Sequence, residues 1–166
     1  MTARDRAHGA LLGVYRRLPV QGRRLVVRRL APTYTVGAVC AIERGDGRIL
    51  LVRLAYRHRW GMPGGLLKRG ETPADAARRE VHEEVGFDVD LVGEPAVVVD
   101  PLPRRVDVVF MARPVDGTDL DGVAPRSPEI LDARWFRLDH LPELQHETAQ
   151  ALVAVGRRVA PPLAGA

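Results

Sequence analysis

Between Gly65 and Phe87 the chain reads GLLKRGETPADAARREVHEEVGF. The second half of this segment carries the marks of a helix. Thr72 suits the N-cap, Pro73 the first helical position and Asp75 the third, close to a capping box. Gly86 is a natural stop after Val85. Residues three and four apart share a helix face, so Glu80, Glu83 and Glu84 project together. Beside them Ala74, Ala77, Val81 and Val85 form an apolar face that must pack on a sheet.

Three carboxylates at the C-terminal end of a helix repel one another and oppose the helix dipole. A cation would relieve both strains, and a cluster of oxygen ligands suits Mg²⁺, Mn²⁺ or Ca²⁺ rather than zinc or copper. A solvated acidic face bridged to nearby arginines is the competing reading of the same residues. Pro63-Gly64-Gly65 precedes the helix, and two glycines let the backbone approach a ligand closely.

Outward from this segment, Tyr34 to Ile42 and Arg48 to Leu54 read as two strands of a hairpin turned by Gly45-Asp46-Gly47. A loop from Ala55 to Gly65 follows. Beyond Gly86, strands are expected at Phe87–Leu91, Ala96–Val99, Val106–Met111 and Ala133–Phe136, with a long polar loop from Pro114 to Ser127. A final helix is expected from about Pro142 to Val159. Together these elements predict an α/β fold, a mixed β-sheet between helical layers. Residues 1–31 read as a basic N-terminal helical extension, residues 32–160 as the main domain and residues 161–166 as a frayed tail. In the extension, Leu11, Leu12, Val14 and Tyr15 form one apolar face. Leu25, Val26, Val27 and Leu30 form another, with Pro19, Gln21 and Gly22 breaking the two halves. Packing of this segment on the domain or on a second subunit is the favoured expectation over membrane contact.

The segment resembles the Nudix box, G-x5-E-x7-R-E-U-x-E-E-x-G-U, where U is a bulky aliphatic residue. Gly65, Glu71, Arg79, Glu80, Glu83, Glu84 and Gly86 meet its fixed positions, with Val81 at one U and the aromatic Phe87 at the other. Seven identities at this spacing would arise by chance in roughly one chain in 10⁵. The resemblance implies a Nudix-like α/β/α sandwich and a hydrolase that cleaves a diphosphate linkage. Its substrate would be a nucleoside diphosphate-X or nucleoside triphosphate, with Mg²⁺ as cofactor and Mn²⁺ able to substitute. It implies that Glu80, Glu83 and Glu84, with the Gly65 carbonyl, hold the metal. Glu83 is the candidate base, and Arg79 orients Glu71 and the carboxylates. Glu129, after the polar loop, is a candidate extra ligand. Arg53, Arg57, Trp60 and Gly64 are candidate substrate contacts. Pro103 stands sixteen residues after the box, where ADP-ribose-cleaving members carry a proline. The alternative is a Nudix-like domain that senses a nucleotide or metabolite without cleaving it; there the box usually decays, whereas here it is intact. The family resemblance also allows a homodimer.

Composition sets the outer limits. With 166 residues the chain suits one domain with short appendages and can bury a core without disulfides. Cys40 is the one cysteine, which excludes an intrachain disulfide and a zinc-type cysteine cluster. Lys68 is the one lysine, so the arginine bias reflects a GC-rich, bacterial genome. The net charge of +4 is uneven, with arginines crowding the N-terminus and an acidic run from Glu71 to Glu84. That is not the even basic surface of a nucleic-acid binder. No apolar run reaches the roughly 20 residues of a membrane span, and no signal peptide is legible, so a cytoplasmic location is expected.

Overall fold

The computed structural model describes residues 15–159. The expected face of Leu11, Leu12 and Val14 and the tail 161–166 lie outside them. The chain divides into two compact units, Met1–Tyr34 and Thr35–Ala166. In the first, helix α1 spans Val20–Leu30. Pro19 is its N-cap, whereas Gln21 and Gly22 lie inside the helix rather than breaking it. Proline at that position forgoes no helical hydrogen bond, so only Pro19 acts as a boundary.

The second unit holds β1 (Thr35–Ile42), β2 (Arg48–Leu54), β3 (Gly64–Leu66), α2 (Pro73–Val85), β4 (Val89–Asp100), β5 (Arg105–Pro114), β6 (Ile130–Arg137) and α3 (His146–Val159). Strands β3, β1, β5 and β4 form a mixed sheet in that order, with β1 and β5 parallel and the other pairs antiparallel. Strands β2 and β6 form a separate antiparallel pair.

The faces of β1 show how the layers are built. Ala38, Cys40 and Ile42 pack with Ala77, Val81 and Val85 of α2, while Ala41 joins Val109, Ala151 and Val155 on the side of α3. Alternation along a strand thus feeds two cores, one beneath each helix. Strand β2 also serves both: Leu50 and Val52 face the first core, Ile49 and Leu51 the second. The expected mixed sheet between helices is present, and it carries a second small sheet beside it.

Four expectations change in detail. The Gly45–Gly47 turn exists, with Gly47 N–H donating to the Arg44 carbonyl at 2.9 Å, but β1 and β2 do not pair as a hairpin beyond a single Glu43–Ile49 bridge. Strand β2 instead pairs along its length with β6, while its two faces pack into the two cores. The strands expected at Phe87–Leu91 and Ala96–Val99 are one strand, β4. It is interrupted by a shift in register between Val92 and Ala96, where Gly93 takes φ +67° and Pro95 offers no N–H. The end of the expected pre-box loop is strand β3. The last helix starts at His146 rather than near Pro142. Trp60 N–H donates to the Glu143 carbonyl and Gln145 N–H to the Trp60 carbonyl, at 3.0 and 2.8 Å, which holds residues 143–145 extended.

Candidate active site

Helix α2 forms where its local sequence dictates. Thr72 Oγ1 accepts from Asp75 N–H at 3.2 Å, Pro73 opens the first turn and Gly86 closes the helix in the left-handed region at φ +79°. Ala76, Ala77, Val81 and Val85 are buried, so the rotation of the helix is set by its apolar face. That rotation turns Glu80, Glu83 and Glu84 towards β3.

Glycine is required at Gly64, and at Gly65 any side chain would displace the Glu80 carboxylate. Gly64 has φ +149°, and a Cβ there would fall on Ala38 and Val39 of β1. A Cβ on Gly65 would fall on the Glu80 carboxylate. The loop and helix therefore interlock without a side chain between them.

Arg79 organises the acidic cluster. Its Nε and Nη2 donate to the two oxygens of Glu71 at 2.7 and 2.9 Å, a bidentate pair. Its Nη1 donates to Glu80 at 2.7 Å and to Glu83 at 3.2 Å, and Nη2 also reaches the Leu66 carbonyl at 3.3 Å. The Arg79 hydrogen bond, aided by Lys68 N–H, brings the Glu71 carboxyl down to about 2. The Glu71 hydrogen bond in turn raises the pKa of Arg79.

Glu83 and Glu84, adjacent in sequence, are driven in opposite directions. Desolvation raises Glu83, but the hydrogen bonds and charges of Lys68 and Arg79 outweigh it and hold the carboxyl below its usual range. Glu84 is only 8% exposed and, among the described residues, forms no ion pair; Gly64 N–H donates to it at 3.1 Å. Burial, with repulsion from Glu80, Glu129 and Glu83, pushes it up to about 8.

These residues line one side of a cleft of about 510 Å³. Gly64, Gly65, Arg79, Glu80, Glu83 and Glu84 all border it, and so does Glu129. Glu129 is placed there from a distance: its carbonyl accepts Ala55 N–H at 2.8 Å, and Arg126 N–H of the same loop donates to the Glu84 carbonyl at 2.8 Å. The polar loop expected from Pro114 to Ser127 is thus docked on the end of α2.

Of the expected substrate contacts, Arg57 and Gly64 border the cleft, whereas Arg53 and Trp60 do not. Trp60 stands edge-on to Phe136 at 4.8 Å and packs in the α3-side core. The Arg53 guanidinium lies 5.6 Å from the Trp60 ring and 3.8 Å from Asp132. The residues that sequence reasoning missed also border the cleft: Arg105, Asp107, Gln145, Glu147 and Thr148. Arg105 Nε donates to Asp107 at 2.8 Å, and Asp107 is 7% exposed. One signal was present, since Arg105 and Asp107 alternate with Val106 and Val108 at the start of β5, which marks a face turned to something other than core.

The donor set fits a hard divalent ion. It consists of carboxylate oxygens beside a glycine-rich strand, and Glu84 is buried with no cation paired to it among the described residues. Among the described residues, no three acidic, histidine or cysteine side chains already converge as a metal cage. Arg79 holds Glu80 and Glu83 to one side.

Comparison with known proteins agrees with this geometry. A NUDIX domain model matches residues 33–155. A MutT-like protein of Streptomyces ambofaciens is 32% identical over 70% of this chain and 72% of its own length. Other curated relatives at 33 to 34% identity are matched over about half their length or less. The MutT NUDIX hydrolase of Burkholderia pseudomallei is 32% identical, with a TM-score of 0.61 over 75% of this chain and 99% of that one. An ADP-ribose pyrophosphatase of Streptococcus suis is 27% identical, with a TM-score of 0.60 over 78% and 95%. Sequence, fold and the arrangement around α2 converge, and the chain belongs to the Nudix family.

Proposed function

We propose that the chain is a Mg²⁺-dependent hydrolase, with Mn²⁺ able to substitute, acting on a small nucleotide-like diphosphate: a nucleoside diphosphate-X or a nucleoside triphosphate. The observation that carries this reading is the state of the cleft's cations. Lys68 is paired with Glu83, Arg79 with Glu71 and Glu80, Arg105 with Asp107, and Arg57 with Glu147. No cationic side chain lining the cleft, among the described residues, is left free for a diphosphate. A polyanionic substrate therefore needs positive charge from elsewhere, and the uncompensated carboxylates are where it would bind.

Glu80, Glu83 and Glu84, the Gly65 carbonyl and Glu129 are the groups that would hold the ion. When bound, it neutralises phosphate oxygens and lowers the pKa of water in its shell. The chain's own residues supply the rest. Glu83 is half exposed at the cleft, and its lowered pKa keeps it ionised at neutral pH, ready to accept a proton from water. Arg79 fixes Glu71 and restrains Glu80, so it positions rather than reacts. Gly64 N–H orients Glu84.

Relatives that bear the names oxidized purine nucleoside triphosphate hydrolase and ADP-ribose pyrophosphatase support a triphosphate or a diphosphate-X as substrate. The test is product analysis by chromatography after incubation with Mg²⁺. The panel would hold nucleoside triphosphates, ADP-ribose, nucleotide sugars, dinucleoside polyphosphates and CDP-alcohols. Release of a nucleoside monophosphate from one class, abolished by EDTA, is expected. Turnover undiminished in EDTA would overturn the reading.

A further inference from the structure

We propose that helix α1 is a membrane-surface anchor, which lays Val20, Val27 and Leu30 into the interfacial layer of an anionic bilayer. The hydrolase chemistry makes no use of this segment, so the proposal stands apart from the assignment above.

The first observation is charge. Six arginines lie between Arg16 and Arg29, and no Asp or Glu occurs between Asp5 and Glu43. Within α1 the first turn carries no acidic residue. Such a segment has no internal counter-charge and seeks an anionic surface. A second copy of the same helix would meet it with like charge, which argues against self-association through this face.

The second observation is apolar exposure. Val20 is 62% exposed, Val27 50% and Leu30 79%, while Leu25, 59% exposed, lies off this side of the helix. Spacings of seven and three residues place Val20, Val27 and Leu30 on one side of the helix. Arg23 falls on that same stripe, but its guanidinium is turned back. Nε donates to the Leu18 carbonyl at 2.9 Å and Nη2 to the Arg16 carbonyl at 2.6 Å. The apolar stripe is therefore not interrupted by a free charge, while Arg24 and Arg29 lie exposed to its sides.

A nucleic-acid backbone would pair with the arginines but offers nothing to Val20, Val27 and Leu30. A bilayer interface accepts both, with aliphatic side chains entering at the headgroup boundary and arginines reaching acidic headgroups. At 11 residues the helix is roughly 16 Å long, enough to lie in the interface and too short to span it. Packing against protein is the expectation from sequence alone; the exposed stripe within an acid-free segment changes it.

The test is sedimentation of the full chain with vesicles of phosphatidylcholine, with and without one-quarter phosphatidylglycerol, at low and high salt. Binding to the anionic vesicles alone, lost at high salt, is expected. Arg24→Gln with Arg29→Gln is expected to weaken it by roughly fivefold per arginine. Val27→Asp with Leu30→Asp is expected to abolish it, with thermal unfolding of the catalytic unit unchanged. No binding, or equal binding to neutral vesicles, would overturn the proposal. So would undiminished binding by the Val27→Asp, Leu30→Asp variant, or displacement of the protein from vesicles by duplex RNA at stoichiometric concentration.

Discussion

Glu83 and Glu84 show how far two adjacent, chemically identical side chains can be separated by position. Glu83 faces Lys68 and Arg79, whereas Glu84 turns beneath Gly64 among other carboxylates. The folded pKa of Glu84, about 8, lies above the ordinary carboxyl value, so between those two values the folded state binds the proton that the unfolded chain has released. Without metal, this group's contribution to stability is therefore present at low pH and lost as pH rises towards 8. Glu84→Gln keeps the group neutral and can still accept from Gly64 N–H. In EDTA it is expected to melt higher than wild type at pH 8.5, with the difference closing towards pH 5. A difference independent of pH, in melts followed by circular dichroism, would refute the cause assigned to Glu84. The pairing of Arg79 with Glu71 was legible from the box pattern alone. The burial of Glu84 was not, because it depends on β3 lying over the end of α2.

Among the elements, α2 was the most legible and β2 the least. The start, stop and buried face of α2 are encoded within 15 residues, in Thr72, Pro73, Gly86 and the spacing of Ala77, Val81 and Val85. The partner of β2 lies in β6, some 80 residues away, and a run such as Ile49–Val52 does not say which strand will cover it. Strand β3 is three residues with two glycines, too short and too plain to read. Arg105 and Asp107 reach the cleft because β5 lies parallel to β1, a pairing that local patterns do not encode. Two substitutions separate fold from site at this scale. Thr72→Ala removes the cap and is expected to cost about 1 kcal/mol in denaturant unfolding with little loss of turnover. Gly65→Ala drives a methyl group into the Glu80 carboxylate and is expected to reverse that order, losing most activity with a smaller loss of stability. Equal turnover in the two variants would contradict the interlock of β3 and α2.

Across the whole molecule, the strands that fill the two cores also carry the site. Cys40 on one face of β1 and Ala41 on the other are both fully buried, as are Leu50 and Leu51 of β2. The same strands that fill the cores carry the cleft: β1 backs β3, and β2 leads into the loop that holds Arg57. Leu50→Ala opens a void under α2 and is expected to cost about 2–5 kcal/mol, measured by urea unfolding. A cost near zero would mean that the α2-side core is not packed as described. The layered α/β plan was legible in the alternation of helix and strand signals, whereas the small β2–β6 sheet was not.

We propose that carboxylates of α2 perform metal-dependent hydrolysis, with Glu83 as the base. It is tested most directly by measuring the turnover of the cleaved substrate class against Mg²⁺ concentration, for wild type and Glu83→Gln side by side. Neither protein is expected to turn over in EDTA; Mg²⁺ is expected to restore saturable turnover in wild type, with a loss of roughly 10²-fold or more in Glu83→Gln and its thermal unfolding unchanged. Near-wild-type turnover by Glu83→Gln at saturating Mg²⁺ would remove Glu83 from the mechanism.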